Sequence, residues 1–69
     1  METFYEVDAD QIEAGDQILF YGDPVEVTNV FDDPADPLRF IMVAGFSHDT
    51  GDSVTYKIKF NERFEVWGV

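Results

Sequence analysis

A serine, a histidine and an aspartate follow one another at Ser47, His48 and Asp49. These are the residue types of a nucleophilic triad, in which the imidazole takes the serine proton and the carboxylate orients the imidazole. The triad depends on geometry, and three consecutive residues on a strand or turn cannot converge on one point. We therefore expect no catalysis from this segment and place the histidine in an exposed hairpin loop.

Two aspartate-rich segments could gather carboxylates around a divalent cation. They lack the alternating aspartate pattern of an EF-hand loop, and Asx turns and proline restraints explain their composition. A domain of only 69 residues fills its own interior, which leaves no pocket to separate the pKa values of two catalytic carboxylates. The first of the two aspartate-rich segments contains Asp32, Asp33 and Asp36, and the second contains Asp49 and Asp52. We predict a protein that is not an enzyme and has no cofactor or metal site.

The composition bounds the size and the class of the fold. The 69 residues predict one domain over positions 1–69, near the lower limit for a single core. The chain has no cysteine, so packing must stabilise it without disulfides or thiolate metal sites. Hydrophobic residues make up 45% and aromatic residues 16% of the chain, which is too apolar for a disordered protein.

The net charge of the chain limits the classes of molecule that it can bind. A net charge of −11 repels phosphate, so we expect no direct binding to nucleic acid or to an anionic membrane. The acidity would suit a partner protein with a basic surface. Two alternatives stay open, namely solubility or salt adaptation alone, and mimicry of a nucleic acid that inhibits a DNA- or RNA-binding protein.

The amino-terminal segment METFYEVDAD has acids where a signal peptide would be basic, and no apolar run approaches the length of a membrane span. We therefore expect a cytoplasmic protein.

The hydrophobic pattern has the period of β-strands. In 53–60, apolar residues alternate with polar ones, and 63–69 repeats the pattern. In 24–31 the alternation breaks at Thr28–Asn29, which predicts a bulge. We expect 38–46 to be a central strand bent near Gly45. Shorter strands are predicted over 17–21 and 4–7, with at most one helical turn over 8–15.

Five or six short antiparallel strands with turn signals between them favour an all-β fold, a small barrel. The alternative is an open meander that dimerises to cover its apolar face, so the expected state is a monomer or a homodimer.

Three aromatic residues have the opposite parity to their core neighbours, and we expect them to be partly exposed. They are Tyr21, Phe31 and Trp67. Aromatic side chains at loop edges often anchor peptides or partner proteins, whereas Trp67 could equally close one end of the barrel.

The lysines of the alternating strand lie on its polar face, at Lys57 and Lys59. We expect cross-strand ion pairs with the next strand, which has Arg63 and Glu65, and we expect the lysines to protect an exposed edge from aggregation.

Turn and strand residues in a fixed order carry a resemblance to a known family. They are Ile12, Gly15, Asp16 and Ile18, then Gly22, Pro24, Val25 and Val27, and finally Thr50-Gly51 and 56–60. Their order resembles the SH3-like amino-terminal domain of elongation factor P and the related KOW-type modules, over roughly residues 10–66, which implies a small SH3-like barrel. The same motifs also occur in inteins and in many small phage and bacterial barrels.

One departure from that family concerns function. The family's basic loop carries a modified lysine for work at the ribosome, and the matching segment here is DDPADP, over 32–37. The lysine is absent and the charge is reversed, which argues against the translation role, although a degenerate translation accessory stays a third hypothesis.

The charge, the surplus aromatic residues and the lack of a chemical motif together predict a non-enzymatic interaction module. We expect contacts at Tyr21, Phe31 and Trp67, with Asp32, Asp33 and Asp36 engaging basic residues.

Overall fold

A computed structural model describes residues 6–67, which form one sheet of six antiparallel strands and one turn of 3₁₀ helix. The prediction of a small all-β domain with at most one helical turn is confirmed. The described residues contain no helix long and apolar enough to cross a membrane. The strands are β1 (Glu6–Asp8), β2 (Gln17–Phe20), β3 (Asp23–Asp32), β4 (Phe40–Ser47), β5 (Ser53–Lys59) and β6 (Arg63–Val66), and the 3₁₀ helix spans Ala9–Gln11.

The strand order in the sheet is β1-β6-β2-β3-β4-β5, so the last strand lies between the first two. Among the described residues, no ladder joins the two edge strands, β1 and β5. The sheet is therefore open in its hydrogen bonding, and barrel closure of the SH3 type stays a prediction.

The sheet nevertheless curls around one core. Phe20 of β2 stacks on Tyr56 of β5 with ring centroids 5.0 Å apart, although these strands are not neighbours in the ladder. Phe64 of β6 packs against the same phenylalanine at 5.0 Å. The buried apolar side chains are Ala9, Ile12, Ile18, Phe20, Val25, Val27, Ile41, Val43, Ile58 and Phe64.

The bulge predicted at Thr28–Asn29 is confirmed, because the register of β3 against β4 shifts between Val27 and Asn29. Gly45 lies beside it for a steric reason. A Cβ at this position would approach the carbonyl oxygen of Glu26 to 2.3 Å and a methyl group of Val25 to 2.8 Å. The absence of a side chain therefore allows β3 and β4 to approach closely beside the bulge.

Two expectations about neighbouring strands are wrong. The strand over 38–46, expected to be central, is second from the edge as β4, and the middle of the sheet is β2 and β3.

The ion pairs expected between β5 and β6 do not form, because these two strands are not paired in the sheet. Lys57 of β5 instead pairs with Asp33, and Arg63 of β6 pairs with Asp8. Alternation reports which face of a strand is apolar, but it does not report which strand lies beside it.

The expected edge strand over 4–7 corresponds to β1, whose described part begins at Glu6; positions 4 and 5 lie outside the described residues.

Candidate functional site: an acidic cleft with an exposed tyrosine

Tyr21 occupies an unusual backbone conformation. It forms the two-residue turn between β2 and β3 with Gly22, and both residues have positive φ, at 53° and 88°. Such hairpin turns favour asparagine, aspartate or glycine at the first position, because a Cβ crowds the backbone there. Tyr21 is the only non-glycine residue with positive φ in the described part of the chain. A bulky residue at this position points to a role for its ring.

Contacts from three directions hold the Tyr21 ring. It lies edge-on to Phe64 with centroids 5.7 Å apart and tilted against Tyr56 at 6.2 Å. Its hydroxyl donates to the Glu62 carboxylate, with oxygen–oxygen distances of 3.1 and 3.3 Å. Burial and this carboxylate raise the pKa of the Tyr21 phenol above its ordinary value. Tyr21 is still 66% exposed, so much of its ring remains open to solvent.

Tyr21 borders a shallow cleft of about 390 Å³, which we call the Tyr21 cleft. Its charged lining is three glutamates and one arginine, and the arginine donates from Nε to Asp8 at 2.9 Å. The cleft therefore presents carboxylates around an aromatic ring. Its lining residues are Glu6, Leu19, Tyr21, Gly22, Glu62, Arg63, Phe64 and Glu65.

The three predicted aromatic contacts are partly exposed, as expected, but they do not form one surface. The backbone N–H of Trp67 donates to the Gln17 carbonyl at the start of β2, whereas Tyr21 follows the end of that strand. The two residues therefore lie at opposite ends of β2. The Trp67 indole donates to the Val25 carbonyl at 3.3 Å and lies edge-on to His48. Phe31 is 42% exposed on the outer face of the sheet, opposite Met42.

The three predicted acidic contacts differ in their exposure and in their partners within the chain. Asp32 is exposed at the end of β3. Asp36 is half-buried and lies 3.8 Å from the Arg39 guanidinium. Asp33 is only 5% exposed and is occupied within the chain, because one oxygen accepts the Ala35 N–H and the other lies 3.2 Å from the Lys57 ammonium. These two contacts, the Ala35 N–H foremost, hold the pKa of Asp33 below its usual range. Asp33 thus stabilises the loop and offers little to a partner.

A polar network that we did not predict from the sequence joins β3, β4 and β5. The Asp23 carboxylate accepts the Tyr56 hydroxyl at 2.6 Å and the Ser47 hydroxyl at 2.7 Å. The two bonds lower the pKa of Asp23, with that from Tyr56 the stronger cause. The bond to Asp23, together with burial, raises the pKa of Tyr56 to about 12. In the sequence, Asp23 had only the signature of a turn residue.

The Ser-His-Asp segment separates in the structure. Ser47 is buried and donates to Asp23, whereas the His48 imidazole lies 3.6 Å from the Glu26 carboxylate. Among residues 6–67, no three histidine or acidic side chains gather closely enough to hold a metal ion.

Comparisons with protein-family models, with curated proteins and with solved structures find no match to this chain.

Proposed function

We propose that this chain is a non-enzymatic interaction module that binds a protein with basic side chains, and that the Tyr21 cleft receives one of those side chains. The observation that carries the proposal is a bulky tyrosine that is held at positive φ, is 66% exposed and lines a cleft with three glutamates. A guanidinium stacked on the exposed ring would gain a cation–π contact and Coulombic attraction from Glu6, Glu62 and Glu65.

The charge of the whole molecule supports the same partner. With fifteen acids against four lysines and arginines, the surface field attracts a basic protein from a distance and speeds its encounter. Within the described residues, the one cation that lines the cleft is already engaged by Asp8, so it opposes an incoming cation only weakly.

The outer face of β4 is a second region that a partner could cover. Phe40, Met42 and Ala44 are half-buried there, and Phe46 is 49% exposed. Phe31 extends this apolar strip onto β3. Exposed aromatic side chains of this kind are typical interface anchors. In this proposal the strip adds contact area for the partner, and the Tyr21 cleft selects the basic residue.

The test is a binding titration with a labelled peptide of four arginines separated by glycine and serine, followed by fluorescence anisotropy. The variant Tyr21→Asn should weaken binding about two- to fivefold, the factor that an exposed cation–π contact of about 0.5–1 kcal/mol gives. Tyr21→Phe keeps the ring and should bind like the unchanged protein. A peptide with citrulline in place of arginine should not bind.

Leu38→Asn is the matched control, because Leu38 is 89% exposed and lies outside the cleft. Equal weakening by Leu38→Asn and Tyr21→Asn, or no weakening by either, would contradict the proposed cleft. The nucleic-acid mimic stays a separate prediction, and it requires that a duplex oligonucleotide displace any basic protein that this chain captures.

A further inference from the structure

The positive charge of this acidic protein is concentrated at one corner. Three of the four lysines and arginines, Arg39, Lys57 and Lys59, lie at the start of β4 and along β5. An open cleft of about 420 Å³ lies at the same corner, and we call it the Lys59 cleft. Its lining combines two cations with exposed apolar surface, and consists of Leu38, Arg39, Phe40, Lys59, Phe60 and Asn61.

The edge of β5 that leads to this cleft is unpaired among the described residues. The Lys59 N–H donates to the Glu62 side chain and its carbonyl accepts the Glu62 N–H, so both groups point away from β4. Backbone direction alternates along an antiparallel strand. The N–H and C=O groups of Ser53, Thr55 and Lys57 therefore also point away from β4, and all three residues are exposed.

The lysine that would protect this edge is turned away from it. An edge lysine normally discourages strand pairing by projecting its charge over the edge. The Lys57 ammonium instead lies 3.2 Å from Asp33, which follows β3, and 4.5 Å from the ring centroid of Phe40 on β4. The edge at Ser53 and Thr55 is thus bordered by small polar side chains, while the unpaired charge of Lys59 remains at its end; within the described residues Lys59 has no ion-pair partner.

We propose that the free edge of β5 and the Lys59 cleft bind an extended acidic segment of another protein by strand addition. The backbone of the segment would pair with Ser53, Thr55 and Lys57. Its carboxylates would meet Lys59 and Arg39, and an apolar side chain would cover Leu38. A second copy joined edge to edge through β5 is disfavoured, because β5 contains lysines but no acidic residue that could meet Lys59 and Arg39.

This surface and its ligand are distinct from the Tyr21 cleft. The two clefts have opposite charge and meet at the turn over 60–62, where the Glu62 carboxylate accepts both the Tyr21 hydroxyl and the Lys59 N–H. Their probes are a basic and an acidic peptide, so each proposal is tested separately. Together the two clefts would allow the chain to bridge a basic partner and an acidic one.

The probe is a seven-residue peptide of alternating glutamate and valine, acetylated and amidated, titrated against the isotope-labelled protein. We expect new protection from hydrogen exchange at the Thr55 and Lys57 amides. The double variant Arg39→Glu with Lys59→Glu should weaken binding about tenfold, because like charges then face each other. The same peptide with glutamine in place of glutamate should bind as weakly as this variant does.

Thr55→Pro tests the backbone contact, since it removes an N–H that faces away from β4 and proline is tolerated on edge strands. It should abolish binding while the protein stays folded by circular dichroism. Arg63→Gln is the matched charge control, and it should bind the acidic peptide like the unchanged protein because Arg63 lies on β6.

Unchanged exchange at Thr55 and Lys57, or equal binding by the charge-reversed and unchanged proteins, would overturn the proposal. Analytical sedimentation of the protein without peptide tests whether a second copy occupies the β5 edge. A dimer that dissociates in the Arg39→Glu with Lys59→Glu variant would identify the occupant as a second copy and would also overturn the proposal.

Discussion

At the scale of single residues, Tyr21 is the clearest conflict between local preference and the observed structure. Its positive φ costs a residue with a Cβ about 1–2 kcal/mol, and its packing on Tyr56 and Phe64 returns about 0.5–1.5 kcal/mol per aromatic pair. The two effects nearly cancel. The ring therefore adds little to stability, which is consistent with a residue retained for binding.

This balance predicts that Tyr21→Asn changes the free energy of unfolding by less than about 1 kcal/mol, because asparagine tolerates the turn. Tyr21→Ala should be less stable than Tyr21→Asn by about 1 kcal/mol, since alanine loses the ring and keeps the backbone strain. Urea denaturation of both variants provides the measurement. An alanine variant as stable as the asparagine variant would show that the turn is not strained.

The Asp23–Tyr56 pair predicts that the fold loses stability at both ends of the pH scale, through Tyr56 at high pH and through Asp23 at low pH. The raised pKa of Tyr56 stabilises the fold fully below the ordinary value of 10.0, and this contribution is lost as pH rises through about 12. The lowered pKa of Asp23 gives a contribution that is present above 3.8 and is lost as pH falls through the folded pKa. Asp23→Asn should therefore move the Tyr56 pKa down toward 10.0 in an ultraviolet titration of the phenols. Glu26→Gln is the control, because Glu26 does not contact Tyr56, and it should leave that pKa unchanged.

At the scale of elements, the close approach of β3 and β4 depends on Gly45. Gly45→Ala would place a methyl carbon 2.3 Å from the Glu26 carbonyl oxygen, and the two strands must separate to accept it. We expect a loss of about 1–3 kcal/mol in the free energy of unfolding, the usual cost of overpacking. Gly51→Ala tests a different cause, since its φ of +77° is unfavourable for alanine but nothing lies within 4 Å. It should cost about 1–2 kcal/mol, and it should leave the exchange rates of the β3 amides unchanged.

The elements themselves were largely predictable from the sequence, because strand periodicity and turn residues are local signals. The alternation in 53–60 predicted β5, and the break at Thr28–Asn29 predicted the bulge. The neighbours of each strand were not predictable, since the turn over 60–62 leads from β5 into a different part of the sheet. The exposure of Tyr21 followed from parity, whereas the Tyr21 cleft needs β1 and β6 beside the turn, a non-local arrangement.

At the scale of the whole molecule, the charges both attract partners and oppose compaction. Fifteen acids share a particle whose shortest dimension is 18 Å, so like charges on opposite sides repel one another across it. At an ionic strength of about 0.01 M the Debye length is about 30 Å, which leaves this repulsion almost unscreened. Among the described residues, the ion pairs of Arg39 with Asp36 and of Arg63 with Asp8 are exposed and offset little of it.

Stability should therefore rise when salt is added at neutral pH. Raising the ionic strength from about 0.01 M to about 0.15 M shortens the Debye length to about 8 Å, less than half of the shortest dimension of the molecule. The thermal midpoint should increase over this range and then level off, because the short-range pair of Lys57 with the buried Asp33 is screened much less. Sucrose at matched osmolality is the control for solute exclusion, and its effect should be independent of charge. A midpoint that falls with salt would mean that attraction between opposite charges outweighs the repulsion, and the long-range field invoked for a basic partner would then be weaker than the net charge implies.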